Sequence, residues 1–107
     1  MEEILRNTLL YDFYAELLTP RQRDIYQLYH CNDLSLAEVA EKLDISRQAV
    51  KSSLQQSQKS LEELDAALGL VLYHKTAKSH VDAISAALAK QDNTKAQQIL
   101  LELEKLI

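Results

Sequence analysis

Helix breakers are nearly missing from this chain, which has one Gly and one Pro in 107 residues. A fold built on many tight turns needs more of both. Their scarcity argues against a β architecture and for long helices joined by short connections. Cysteine is also scarce. Cys31 stands alone, so no intrachain disulfide forms, and a reducing cytoplasm is the expected setting. No apolar run approaches the roughly 20 residues needed to span a bilayer, so no membrane insertion is expected. The start, MEEILRN, is acidic where a signal peptide would be basic. There is no glycine-rich loop to cradle a phosphate. Positive charge is in deficit as well, with a net charge of −4. That is a poor background for non-specific duplex binding.

The composition itself supports a folded chain, with 47% hydrophobic and 26% charged residues. Charge is unevenly placed. Residues 1–46 carry 4 Lys and Arg against 9 Asp and Glu, whereas residues 47–59 carry 3 against none. Residues 60–107 carry 5 against 7. The cations are therefore concentrated just after the middle of the chain.

Hydrophobic spacing predicts six helices. The first covers about residues 3–18, with Leu9, Leu10, Phe13, Leu17 and Leu18 inward. Thr19 caps the second, with Pro20 at its first position. That helix runs to about residue 31 on a stripe of Ile25, Leu28 and Tyr29, with Tyr26 at its edge. Ser35 and Glu38 form a capping box for a short third helix, which buries Leu36, Val39, Ala40 and Leu43. Asp44 turns the chain, Ile45 plugs the angle and Ser46 caps a long fourth helix. Val50, Leu54, Ser57, Leu61, Leu64 and Leu68 make a heptad-like seam along it, with one polar gap at Ser57. Gly69 is placed to end or bend this helix. Residues 70–90 and 93–106 read as two more amphipathic helices.

The second to fourth helices together satisfy the requirements of a helix-turn-helix, with the third and fourth as its pair. The first of the pair is short, the connection is tight, both are capped by Ser, and Ala40 permits close packing. In such motifs the N-terminal side chains of the second helix reach base edges in the major groove. Arg47 and Gln48 occupy those positions. Arg pairs with guanine and Gln with adenine, each bidentately. Lys51, Ser52 and Gln55 follow on the same face, to touch bases or phosphates, and Arg21 and Arg23 are placed to contact backbone.

The stretch FYAELLTPRQRDIYQLYHCNDLSLAEVAEKLDISRQAV, residues 13–50, resembles the YlxM-like family of small bacterial helix-turn-helix proteins. Its centre in turn is similar to the region-4 DNA-binding domain of sigma factors. The most specific pieces are FYAELLT at 13–19, LSLAEVAE at 34–41 and SRQAV at 46–50. The resemblance spans about residues 11–66 and is weak after about residue 70. It implies a DNA-binding protein. The family's genes tend to lie beside those for signal recognition particle components, which implies a regulatory role in that protein-targeting pathway. Two positions depart from the pattern. Asp44 stands where the family usually has Gly. After Val50, KSSLQQSQKS at 51–60 replaces aromatic and basic residues with Ser and Gln. Fewer phosphate contacts predict weaker, more salt-sensitive binding.

Other chemistry finds little support. His30, His74 and His80 lack the i, i+4 spacing of helical metal ligands, so no metal or cofactor is expected. Cys31 has only His30 beside it and no third orienting group. The tyrosines fall at helical spacing and read as half-buried core before they read as stacking platforms for RNA bases. No residue set supports an enzyme.

The expectation is an all-α protein with a sigma region-4-like helix-turn-helix core over residues 1–68. A long fourth helix leads to a C-terminal helical extension over residues 69–107, packed on the core as one unit. A homodimer is expected through Leu61, Leu64, Leu68, Val81, Ile84 and Leu88, because a short helix pair buries little by itself. The expected function is a nucleic-acid-binding regulator, with DNA or RNA and signal recognition particle components as partners. The alternative is a protein adaptor that docks a particle component through an acidic surface and keeps the helix-turn-helix as scaffold.

Overall fold

The structure, a computed structural model, describes residues 2–107. It contains α1 (Glu2–Tyr14), α2 (Pro20–Tyr26), α3 (Leu36–Leu43), α4 (Arg47–Leu68), α5 (Leu70–Ala89) and α6 (Asn93–Leu106), with no strand among the described residues. The chain divides into two compact units, one ending at Val71 and the other spanning Leu72–Ile107.

In the first unit, α1 is shorter than its hydrophobic spacing predicts. It stops at Tyr14 and tightens into a 3-10 turn over Ala15–Leu17. The buried residues are Leu10, Tyr14 and Leu18, while Phe13 and Leu17 are exposed. Tyr14 replaces the expected apolar side chains because its hydroxyl is fully paired. It donates to Asp65 Oδ1 at 2.7 Å and accepts from the Leu70 N–H at 3.2 Å. A buried Tyr is favourable once its O–H has a partner.

The second helix also departs from the expected single element. After Tyr26 it widens into a π-helical turn over Gln27–Cys31, with the Asn32 N–H donating to the Gln27 carbonyl at 3.0 Å. Tyr26 is not at the edge of the stripe but fully buried, and its hydroxyl donates to Gln58 Oε1 at 3.1 Å.

Two apolar clusters form the core of this unit. Leu10, Tyr14, Leu18, Tyr26, Leu61 and Val71 make one, and Ile25, Val39, Ala40 and Val50 make the other. Half-buried Leu54 packs against both, so α4 is the spine that joins them. Full burial of each large side chain contributes about 1.5–3 kcal/mol. Ser57, the polar gap in the α4 seam, is fully buried, and its Oγ has no hydrogen-bond partner.

A polar strip fastens α1 to α4. Gln58 donates to Asn7 Oδ1 at 3.0 Å and to Glu62 Oε1 at 3.1 Å. Arg6 pairs with Glu62 and lies 3.7 Å from Asp65. Gly69 ends α4 in the left-handed conformation, φ 67°, which Gly adopts without a Cβ penalty. Asp65 then accepts from the Val71 N–H at 3.1 Å and caps the start of α5.

The second unit holds most of α5 and all of α6. Its buried apolar residues, among those described, are Ala87 and Ala96. His80 braces the pair, donating from Nδ1 to the Thr76 carbonyl at 2.8 Å and lying 3.6 Å from Glu102. Asp92 caps α6 by accepting from the Lys95 N–H at 3.1 Å. No helix among the described residues is long and apolar enough to cross a membrane.

Candidate nucleic-acid interface

The α3–turn–α4 corner is built from its caps. Ser35 accepts from the Glu38 N–H at 3.1 Å while the Glu38 carboxylate accepts from the Ser35 N–H at 3.0 Å. Such a box satisfies two of the free donors at a helix start. At the far end Asp44 takes the left-handed conformation, φ 55°, as Asp tolerates better than most residues. The Ile45 N–H returns to the Ala40 carbonyl at 3.0 Å, and half-buried Ile45 packs on the cluster around Val39 and Val50. Ser46 then accepts from the Ala49 N–H at 3.0 Å. Three residues thus separate the helices, and the start of α4 is held by Val50 beneath and Ser46 at its end.

Arg47, Gln48, Lys51, Ser52 and Gln55 are all exposed. At about 100° per residue they occupy roughly 140° of the helix circumference, away from the Val50–Leu61 seam. No ion pair among the described residues engages Arg47 or Lys51. Lys59, further along, lies 4.0 Å from Glu63. Arg21 is exposed and Arg23 half-buried on α2, whose start is held by the Thr19–Gln22 capping box.

The serine and glutamine stretch after Val50 divides its work. Ser57 and Leu54 turn inward and Gln58 fastens α1, so only part of KSSLQQSQKS faces solvent. The residues expected at a dimer interface also separate. Leu61 is fully buried in the first unit's own core and is thereby removed from that set. Leu64 and Ile84 are half-buried, and Leu68, Val81 and Leu88 are exposed.

The first unit also carries a concavity. It has a volume of 410 Å³ and runs between α1, the π-helical turn and the start of α3. Tyr11 stacks parallel to Tyr26 with centroids 5.4 Å apart, His30 lies 4.3 Å from Tyr26, and Tyr29 meets His30 edge-on at 5.0 Å. Burial pushes the Tyr26 hydroxyl up to about 12, lowers the His30 pKa and raises that of Cys31. Both His30 and Cys31 are thus biased to their neutral forms. The sequence signal for this cleft is the run of aromatics at Tyr11, Tyr26, Tyr29 and His30. It goes unread because the π-helical turn that gathers them has no sequence signature. No cluster of three or more metal-ligating side chains occurs among the described residues.

Comparison with known proteins extends the likeness beyond the helix-turn-helix. A UPF0122 protein of Thermoanaerobacter sp. (strain X514) is 45% identical over 87 residues, covering 81% of this chain and 74% of its own. One from Symbiobacterium thermophilum is 37% identical over 103 residues, covering 96% of each. One from Geobacillus kaustophilus is 33% identical over 108 residues, covering 99% of this chain and 98% of its own. The family model described as "Putative helix-turn-helix protein, YlxM / p13 like" matches residues 1–102. That corrects the expectation of a weak likeness after about residue 70, because all of α5 and α6 as far as Glu102 fall within the match. From its capped corner to its C-terminal helices, the chain belongs to the UPF0122 family of YlxM/p13-like helix-turn-helix proteins.

Proposed function

We propose that this chain is a nucleic-acid-binding regulatory protein of the signal recognition particle pathway, working in the cytoplasm. One observation carries the binding half. Unpaired Arg47 and Lys51 share an exposed face with Gln48, Ser52 and Gln55, on a helix start fixed by Ser46 and Val50. Arg47 and Gln48 read base edges, and Lys51 with the following polar residues meets bases or phosphates. Arg21 and Arg23 add backbone contacts from α2. The pathway half is supported by the family resemblance and the gene neighbourhood it implies.

Anisotropy of labelled duplex DNA and of hairpin RNA, across a salt series, tests the reading. The double variant Arg47→Ala/Lys51→Ala should weaken binding at least about tenfold and flatten the log–log salt slope by about 2. An unchanged slope removes this face from the interface.

The adaptor reading is favoured by a different observation. The chain through Val71 carries 7 Lys and Arg against 12 Asp and Glu. This acidic unit suits a basic partner, such as a particle GTPase or its RNA-binding domain. Binding of that purified partner in the presence of nuclease would favour the adaptor over the nucleic-acid reader.

A homodimer fits either reading. Residues 72–107 carry 5 Lys against 4 Asp and Glu, so charge does not oppose self-association. Exposed Val81 and Leu88 lie with Ile84 on one stripe of α5, and Ile84, Leu88, Ala96 and Leu100 line an apolar groove of 260 Å³. A second copy of this helix pair is the proposed cover.

A further inference from the structure

The aromatic cleft of the first unit has no part in the nucleic-acid reading of α4, and a role for it rests on the adaptor reading, in which this acidic unit meets a basic partner. It is walled by Tyr11, Tyr29 and His30 over a floor of Tyr26, with Asp33 and Glu38 on its rim and no Lys or Arg in its lining. Anions therefore find two carboxylates and no partner. Serine 35 holds the Glu38 carboxylate ionised through its N–H, which keeps the acidic pKa low. His30 adds a third ring beside Tyr26, with centroids 4.3 Å apart, and desolvation lowers its pKa. Tyr11 and Tyr29 are half-buried, and both line the cleft. Aromatic faces beside carboxylates attract cations, and a planar guanidinium both stacks on rings and hydrogen-bonds carboxylates as a fork.

From this combination we infer that the cleft binds an alkyl guanidinium, namely an arginine side chain presented by a peptide segment of a partner protein. The volume of 410 Å³ accommodates one such side chain. The site uses α1, Tyr26 at the end of α2, the π-helical turn and the start of α3, and no residue of α4.

Titration of the whole protein with N-acetyl-arginine amide, followed by NMR of the Tyr29 and His30 rings, tests the inference. Ethylguanidinium serves as the bare headgroup, free arginine as the small-molecule source and N-acetyl-norleucine amide as the uncharged control. Saturable shifts are expected with the amide and with ethylguanidinium, weaker shifts with free arginine, whose zwitterionic backbone is more costly to desolvate at the cleft, and none with norleucine. Asp33→Asn should weaken binding by about tenfold. Asn keeps the left-handed backbone that Asp33 adopts at φ 58°, so this variant retains the fold. Tyr29→Leu should weaken binding and Tyr29→Phe should restore it. Equal shifts with the norleucine control, or no effect of Asp33→Asn, would overturn the site. Tighter binding of free arginine than of the amide would overturn the peptide as its source. The Arg47→Ala/Lys51→Ala variant should bind the amide normally, which separates failure of this site from failure of the α4 face.

Discussion

Leu61 of α4 and Leu88 of α5 both lie on repeating apolar stripes, yet Leu61 is 0% exposed and Leu88 is 54% exposed. Their sequence contexts barely differ. What differs is the supply of neighbours. Through Val71, α1 to α4 cover one another and bury ten of the twelve buried apolar residues among those described. Within Leu72–Ile107, only Ala87 and Ala96 are buried among the described apolar residues, and larger side chains stay in solvent. A stripe chooses the face that seeks burial, and only additional elements complete it.

The largest effect should come from exchanging that contrast. Leu61→Ala should destabilise the chain by about 2–5 kcal/mol, the range for emptying a packed core site. Leu88→Ala should stay within about 1 kcal/mol, read from denaturant midpoints. A large loss at Leu88 in concentrated protein but not in dilute protein would place a second copy over α5. Sedimentation of Leu88→Asp then shows whether that copy is lost.

Acid should affect the two units unequally. Burial raises the Asp65 pKa, but the Tyr14 hydroxyl, the Val71 N–H and the Arg6 guanidinium outweigh it and leave the group below the usual carboxylate value. A carboxyl with a lowered folded pKa stabilises at all pH above its unfolded value of about 3.9. That contribution is lost as pH falls through the folded value. Asp65→Asn should therefore be less stable than the parent at neutral pH, with the gap closing in acid. The gap should be sensed by the Leu70 and Val71 amides. A constant gap across pH would show that the carboxylate's charge contributes nothing.

The smallest change tests a flaw in the first unit's core. Ser57 is fully buried with an unpaired hydroxyl. Ser57→Ala should leave stability unchanged or raise it by about 1 kcal/mol, since it removes an unsatisfied polar group. A loss of comparable size would mean that the hydroxyl finds a partner in solution.

Most of the corner was legible. Ser35, Glu38, Asp44 and Ser46 each carry local chemistry that short-range geometry must obey, and their caps form as their residue types require. The cationic face of α4 followed from the same reasoning, because a helix start with known buried positions leaves the remaining positions outward. Residue burial away from the corner was less legible. Phe13 and Leu17 read as core, yet Tyr14 was taken inward because Asp65, fifty-one residues away, satisfies its hydroxyl. Gln58 read as bland surface and instead ties Tyr26 and Asn7 together.

The amino-acid sequence by itself determined the helical class, the helix starts and the charge on the α4 face. These depend on residues within a few positions of one another. Tertiary structure alone decided the π-helical turn after Tyr26, the aromatic cleft it gathers and the burial of Leu61 in the chain's own core. Each of these depends on partners far along the chain, whose contacts outweigh the local preference for an unbroken helix.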